Sequence, residues 1–390
     1  MRIGFLSVLL FISLSSWATI FTVSSNADAG MGTLRQAILG ANANGFQETD
    51  YIYFLLPGTL REDVTISLMT ALPKLSSNIV IDATTQPTSV LGNTSIRIFL
   101  TRGSANFFDG FVIDGVSNVE IYGIYFNNFL SPEGIPADDR TAAINLKDAS
   151  NITVGKPNFQ NGFGNNYTSL ISPTAYNLLK NISISSNIIG LDAAGVVANP
   201  NNVGIDLSYL SNSIIGGNTE AHGNVISSNL DGVSLGAMSG QVQFSHNIIG
   251  ADISKTRLFA VPTAVGVFAN GEFVDLLMSN NYIVSHSIGI RLDNLKNKYL
   301  LIGNTVGESA ATGHSKYGIE LYNCNSGGIN AGNIIAHNTV GIFADRSYAV
   351  SIQKNSFYCN RKAIEVVNIP TGKTITPSRI STITASGASG

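Results

Sequence analysis

The sequence predicts an all-β solenoid, a single-stranded right-handed parallel β-helix with a short N-terminal capping helix. Three observations predict this fold class. A pattern of about 22 residues recurs along the chain with an asparagine at a fixed place. The longer repeats carry their extra residues in one place only. One short segment near the start of the chain has apolar residues at helical spacing instead.

The repeat is clearest in residues 223–235, 332–344 and 354–366, which run from an anchor asparagine through a polar corner with a second Asn to a Gly-Ile-x-Leu strand or a close variant. The anchors are Asn187, Asn224, Asn247, Asn281, Asn304, Asn333 and Asn355. Three of their spacings are 22 or 23 residues. The longer spacings contain insertions at residues 191–202, 251–264 and 308–316. A solenoid accommodates loops in this way, with insertions confined to one corner.

The repeated segments are predicted to be strands because they are short, β-branched and bounded by Gly, Asn and Ser. Two aliphatic positions two residues apart face the same side of a strand. The first is filled by Ile205, Val233, Val267, Ile290, Ile319, Ile342 and Ile364, and the second by Leu207, Leu235, Ala269, Leu292, Leu321, Ala344 and Val366. Coils stacked about 4.8 Å apart would align these side chains as columns inside the cylinder.

The anchor asparagines are interpreted as a structural ladder, because Asn suits corners and stacked amides bond one another. A row of polar ligands is the alternative interpretation. The glycines at positions 204, 232, 266, 289, 318 and 341 are expected to mark the tight turn into the next strand, with Ala363 in the last repeat.

The sequence predicts four segments along the chain. Residues 1–18 have a basic start, an apolar run and small residues before Ala18, which is typical of a signal peptide. Residues 19–110 are predicted to hold the N-terminal cap, with a helix at 33–43, and the first coils. Residues 111–368 continue the β-helix. Residues 369–390 are rich in Thr, Ser and Gly and are expected to be a linker to a further C-terminal module.

Five blocks of sequence carry a resemblance to a known family. Residues 28–42 read Asp-Ala-Gly-Met-Gly-Thr-Leu-Arg-Gln-Ala-Ile-Leu-Gly-Ala-Asn, and further blocks lie at residues 71–75, 81–87, 187–195 and 215–229. Together they resemble bacterial extracellular right-handed β-helix repeat proteins of the pectate-lyase-like superfamily, over roughly residues 20–370. The chain departs from the family pattern at Ala83 and Gly223. The resemblance implies export, a surface role and a following Ig-like or anchoring module, and it implies no settled activity.

Side chains that point outward from the Gly-Ile-x-Leu strands form the candidate functional site. Arg291, Asp293, Glu320 and Asp345 are the candidate catalytic residues, and Phe268, Tyr322 and Phe343 are the candidate ligand-binding residues. Two coils separate Asp293 from Asp345, or about 10 Å. This spacing is near that of inverting glycosidases, and the three carboxylates are also of the type that binds Ca²⁺. The favoured interpretation is simpler: Arg291 beside Glu320 is an ordinary cross-strand ion pair.

Other chemistry has little support in the sequence. The five histidines form no HxxH or HExxH pair, and Cys324 and Cys359 form no CxxC, so we expect no metal site, no cofactor and two separate thiols. The adjacent acids at positions 138 and 139 are interpreted as a polar loop. The net charge of −3 gives no basic stripe for nucleic acid, and no apolar run after residue 18 is long enough to span a membrane.

The sequence therefore predicts a monomeric protein, secreted or at the cell surface, that acts as a binding, adhesion or structural module contacting glycans or cell-surface components. Two alternatives remain open. One is a polysaccharide lyase or glycoside hydrolase that uses the acidic patch, although the missing catalytic motifs favour a non-enzyme. The other is a rigid spacer that displays a C-terminal domain.

Overall fold

The computed structural model describes residues 18–87, 94–136, 139–172 and 178–377, and in this part of the chain it is a parallel β-helix of three sheets. Some predicted segments lie outside the described residues. They are the predicted signal peptide except for Ala18, the predicted loop residue Asp138, and the end of the predicted linker. Among the described residues, none of the helices has the length and hydropathy needed to cross a bilayer.

Strands are numbered along the chain. Sheet 1 contains β1 (Ile20–Val23), β2 (Asp50–Phe54), β4 (Ile79–Asp82), β7 (Ser117–Tyr122), β10 (Ser150–Val154), β13 (Leu179–Ile184), β16 (Leu210–Gly216), β19 (Ser239–Ser245), β22 (Phe273–Ser279), β25 (Tyr299–Ile302), β28 (Gly328–Asn330), β31 (Ser351–Gln353) and β34 (Thr376–Pro377). Sheet 2 contains β3 (Thr65–Leu68), β5 (Ile98–Arg102), β8 (Ile124–Asn127), β11 (Gly162–Gly164), β14 (Ile188–Ile189), β17 (Val225–Ile226), β20 (Ile248–Ile249), β23 (Tyr282–Ile283), β26 (Thr305–Val306), β29 (Ile334–Ala336) and β32 (Ser356–Tyr358). Sheet 3 contains β6 (Phe111–Asp114), β9 (Ala142–Lys147), β12 (Thr168–Ile171), β15 (Val203–Ser208), β18 (Asp231–Gly236), β21 (Val261–Asn270), β24 (His286–Asp293), β27 (Tyr317–Tyr322), β30 (Val340–Asp345) and β33 (Lys362–Val367).

Each complete coil passes from sheet 3 to sheet 1 and then to sheet 2. Sheet 3 holds the Gly-Ile-x-Leu strands, and its register stacks Ile290 on Ile319 and Ile319 on Ile342. All three are fully buried. The predicted aliphatic columns inside the cylinder are thereby confirmed.

The capping helix α1 (Leu34–Ala43) covers one end of the stack. Thr33 is its N-cap and accepts a hydrogen bond from the backbone N–H of Gln36, which satisfies a donor that the first turn leaves free. The residues at helical spacing, Leu34, Ala37, Ile38 and Ala41, are all buried. The helix contacts β1 and β2, the first strands of sheet 1. Two short 3₁₀ turns lie at Ala83–Thr85 and Glu220–His222.

The first corner, which joins sheet 1 to sheet 2, holds the anchor asparagines. Every anchor except the last, Asn355, donates from its side-chain Nδ2 to the Oδ1 of the anchor on the next coil, over 2.7–3.2 Å. Each Nδ2 also donates to a main-chain carbonyl of the preceding coil. Asn161 extends the ladder one coil before the seven predicted anchors, and all eight are at most 2% exposed. No polar atom of a middle anchor is left for a ligand, which favours the structural interpretation.

The second corner, which joins sheet 2 to sheet 3, holds a second ladder that the sequence analysis did not predict. Asn166 donates to Asn201 over 3.0 Å, Asn201 donates to Asn229 over 2.8 Å, and Asn338 donates to Asn360 over 3.0 Å. On two of the coils between Asn229 and Asn338 the same place is taken by histidines, His286 and His314, which are described further below. The signal was present in the sequence, because Asn229, Asn338 and Asn360 each follow an anchor by five residues, and so does His286.

Insertions occur at both corners, so the prediction that they are confined to one corner is wrong: the first corner carries extra residues at 155–160 and 217–223. The insertions of the second corner fold back onto the outer face of sheet 2. Tyr125 of β8 donates through its hydroxyl to the carbonyl of Leu191, over 2.7 Å, and accepts from Asn199 over 2.7 Å. In a later coil, Tyr282 of β23 donates to Glu308 over 2.9 Å. Because these loops pack on sheet 2, they do not cover the outer face of the later strands of sheet 3.

The repeated glycines have a different role from the predicted one. They lie inside the strands of sheet 3, and none of the six has a left-handed φ, so the turn interpretation is wrong. A Cβ on Gly232 would lie 2.3 Å from the carbonyl oxygen of Gly266 on the next coil, and the others face the same contact. Glycine is required because neighbouring coils approach too closely for a side chain. Ala363 is accommodated because β33 ends the sheet in the described part of the chain.

The start of the predicted linker also belongs to the stack. Thr376–Pro377 forms β34, which pairs with β31 at the end of sheet 1. The solenoid therefore continues past Asn368, where the repeat pattern in the sequence stops.

Candidate functional site

The candidate site is the outer face of sheet 3 on β21, β24, β27, β30 and β33, called the open face below. Strand register places the predicted outward residues in two columns. The first is Phe268, Arg291, Glu320, Phe343 and Glu365, and the second is Asn270, Asp293, Tyr322, Asp345 and Val367. Earlier on the same sheet the first column contains Asn145 and Ile171, which are only 4% and 2% exposed. The face is therefore covered on β9 and β12 and is partly exposed from β15 onward.

Arg291 is the centre of the charged residues. Its Nε and Nη2 donate to the two carboxylate oxygens of Asp293, over 3.1 and 3.0 Å. Its Nε also lies 3.6 Å from Oε2 of Glu320 on the next coil. The predicted cross-strand ion pair is present, and the bidentate bond to Asp293 on the same strand is the stronger contact. This bond raises the pKa of Arg291.

Glu320 is the most perturbed acid of the open face. Its side chain is 12% exposed, and burial raises its pKa, with Arg291 opposing the shift and Asp293 adding to it. Its buried Oε2 accepts no hydrogen bond. A carboxyl group whose pKa is raised by burial is better able than an exposed carboxyl group to donate a proton to a ligand oxygen.

Asp345 lies apart from this group. It shares a column with Asp293, but Tyr322 stands between them, and its Oδ1 accepts instead from Asn368 over 2.8 Å. Within the described residues, no three His, Cys, Asp or Glu side chains are arranged to hold a metal ion. The three carboxylates therefore do not form the Ca²⁺ site considered from the sequence.

Aromatic rings form the rest of the open face. Tyr317 and Phe343 stack face to face, with ring centroids 4.4 Å apart and planes within 4°. Tyr317 was not predicted, because it precedes Gly318 and shares the parity of the inward residues. As the first residue of β27, it still leans outward and is half-buried. The aromatic spacing alone could not reveal this stack.

Cations lie over the rings of the open face. The guanidinium carbon of Arg291 lies 5.9 Å from the centroid of Phe268, and Lys316 Nζ lies 4.7 Å from that of Tyr317. Arg346 lies over Tyr322 and donates to its hydroxyl over 3.0 Å. Exposed pairs of this kind are weak, about 0.5–1 kcal/mol, so a ligand can displace the long cationic side chains.

The other singled-out residues lie elsewhere. Cys324 and Cys359 are both free, as expected, the first buried and the second exposed. Burial raises the pKa of the Cys324 thiol to about 12, so it is unreactive. Asp139 is exposed, and its backbone N–H donates to the carbonyl of Pro136.

Comparison with solved structures finds this architecture in proteins of low sequence identity. The A-module of mannuronan C-5 epimerase AlgE4 from Azotobacter vinelandii superposes with a TM-score of 0.55 at 13% identity, over 92% of this chain and 100% of that one. The fold is the right-handed parallel β-helix. The surface adhesin PfbA of Streptococcus pneumoniae gives a TM-score of 0.47 at 13% identity, over 93% of each chain. No family model matches the chain, and no curated protein matches it significantly.

Proposed function

We propose that the protein is a secreted or cell-surface module that binds glycans on the open face of sheet 3, in an adhesive or structural role. The observation that carries the proposal is a strip of four aromatic rings on three of four consecutive coils: Phe268 on β21, Tyr317 and Tyr322 on β27, and Phe343 on β30, with Arg291 on the coil between the first two. The strip spans three coil steps, or about 14 Å. Aromatic faces and edges supply the apolar contact that pyranose rings need, and the surrounding charged groups can bond hydroxyls.

The charge of the open face favours a neutral glycan. Acids and bases are equal in number on or directly beside it: Asp293, Glu320, Asp345 and Glu365 against Arg291, Lys316, Arg346 and Lys362. Most are engaged with one another or with rings, as in the Lys362–Glu365 pair at 2.8 Å. A strongly anionic polymer would gain little net attraction from such a surface.

A glycan array with the full chain tests the proposal. We expect binding to at least one neutral glycan, and about ten-fold weaker binding after Phe343→Ala or Tyr322→Ala, the loss expected for one aromatic contact. Phe273→Ala is the matched control, since Phe273 is 72% exposed on sheet 1. Equal losses in all three variants, or no glycan bound by the folded chain, would refute the proposal.

Glu320 supports a second candidate function, glycoside hydrolysis or lyase chemistry with this carboxyl as proton donor. The supporting observation is its unbonded, buried Oε2 beside Arg291. Glu320→Gln should then abolish release of reducing or unsaturated ends from a polysaccharide that the chain cleaves. Asp345→Asn should have a smaller effect, because Asp345 is bonded to Asn368. Absence of cleavage across neutral and acidic polysaccharides would leave binding as the function.

A further inference from the structure

Two buried imidazoles replace amides in the second ladder. His286 and His314 stack on successive coils with ring centroids 6.1 Å apart, and they are 3% and 2% exposed. His286 donates its backbone N–H to Nδ1 of His314, over 3.3 Å. His314 Nε2 lies 3.1 Å from the carbonyl oxygen of Ile283. The backbone N–H of His314 donates to Oδ1 of Asn338. His314 therefore makes the same three contacts that an asparagine makes elsewhere in this ladder.

The contacts determine the protonation state of His314. Nδ1 must accept a hydrogen bond and Nε2 must donate one, so the ring is neutral with its proton on Nε2. A second proton on Nδ1 would point at the backbone N–H of His286 and break the bond between the two coils. An asparagine rung cannot fail in this way, because its amide does not titrate near physiological pH.

We propose that His286 and His314 form a proton-sensitive joint in the second corner, closed when both rings are neutral and opened by acid. His286 is the first residue of β24 and His314 lies just before β27, so opening of the joint would loosen the coils that carry Arg291 and Glu320. Burial lowers the pKa of His286 to about 4 and that of His314 to about 3, the latter with a contribution from His286. In the open form the two imidazoles have the pKa of an exposed histidine, about 6.5, so they are protonated as the pH falls below that value.

The surroundings give the charged rings no carboxylate partner. The two histidines line a concavity of about 490 Å³ together with His337, Cys359 and Arg361 of the following coils. Among the described residues, no carboxylate lines this concavity. Glu308, on the insertion nearby, is bonded to Tyr282. The buried Nδ1 of His286 accepts no hydrogen bond. The groups that face the pair are thus neutral or basic, and they oppose its protonation in the closed state.

Hydrogen exchange followed by mass spectrometry tests the joint without any ligand. Protection of residues 283–289 and 306–318 should fall about 15-fold between pH 6.5 and 5 if one histidine of pKa about 6.5 takes up a proton on opening, after correction for intrinsic exchange. Residues 224–232, where the same corner carries Asn229, are the internal control and should not change. An equal loss of protection in the coils with histidines and in the coil with Asn229 would overturn the proposal.

The double variant His286→Asn, His314→Asn restores amide rungs and should remove the pH dependence. His222→Asn, which removes a histidine from the first-corner side, should keep it. A folded double variant that still loses protection in acid would also overturn the joint. If the double variant does not fold, the comparison of coils within the unmodified protein still decides the question.

Discussion

The first and second corners of this solenoid carry the same kind of ladder but tolerate very different sequences. The first corner has eight asparagines in an unbroken row, even on the two coils where extra residues, 155–160 and 217–223, precede the anchor. The second corner has asparagines on some coils, histidines on two, and longer insertions. Each unit of the first ladder depends on a neighbour on both sides, so one misplaced coil would leave buried amides unpaired. The first corner therefore maintains the register, and the second corner accommodates changes in the residue that forms each rung.

The largest expected effect comes from inserting four residues, Gly-Ser-Gly-Ser, at each corner. Between Asn304 and Thr305 the insertion separates an anchor from the strand of sheet 2 that directly follows the anchor on every one of these coils, and we expect a loss of about 4 kcal/mol or more, or failure to fold. Between Ala310 and Ala311, both exposed in an existing loop, longer loop closure should cost only about 0.5–1 kcal/mol. Urea denaturation of both variants measures the difference. Similar losses at both places would remove the distinction between the corners.

The next effect comes from removing one amide from each ladder. Asn281 makes bonds to Asn247, Asn304 and the carbonyl of Phe244, and it is 2% exposed. Asn281→Ala should therefore cost about 3–4 kcal/mol, because several buried groups lose partners. Asn360→Ala is the matched change at the end of the second ladder, where Asn360 is only partly buried and bonds Asn338 and Ile335. It should cost about half as much in the same denaturation experiment.

A smaller effect is expected in the glycine column beside the second corner. A Cβ on Gly318 would lie 2.7 Å from the carbonyl oxygen of Gly341 and 2.8 Å from Nδ2 of Asn338. Gly318→Ala should cost about 1–3 kcal/mol through overpacking, measured as a lower thermal midpoint. Ala363→Gly is the control at the end of the column and should change the midpoint little. A neutral Gly318→Ala would mean that the coils can separate locally, which the close stacking argues against.

Local pattern carried most of the fold prediction. The aliphatic columns follow from a period of two within each strand, and the first ladder follows from an asparagine at a fixed place, so both are visible in the sequence. The second ladder was missed because an imidazole at position 286 or 314 does not resemble an amide in a sequence pattern, although it can make the same hydrogen bonds.

The open face was predicted only in part. Its columns follow from strand parity, which placed Glu320 beside Arg291 correctly. The alternation of inward and outward residues assigned Tyr317 to the interior. Tyr317 is the first residue of β27, directly after a corner, where this alternation does not yet hold. The direction in which an insertion folds depends on long-range packing, such as that of Leu191 on Tyr125, and no short pattern records it.

The smallest effect at neutral pH, and the one that separates the corners most sharply in acid, concerns the two histidines. At pH 7 both rings are neutral when folded, so His286→Asn with His314→Asn should change the stability by about 1 kcal/mol or less. The folded pKa values lie below the unfolded value of about 6.5, so the histidines contribute full stability above that pH and lose it as the pH falls towards 4. The unmodified protein should therefore lose about 1.4 kcal/mol per pH unit for each proton taken up on unfolding, beyond the loss shown by the double variant. Urea midpoints at pH 7, 6 and 5 measure how the stability of the unmodified protein and of the double variant depends on pH. The same dependence in both would show that the histidines do not make the second corner more sensitive to acid than the first.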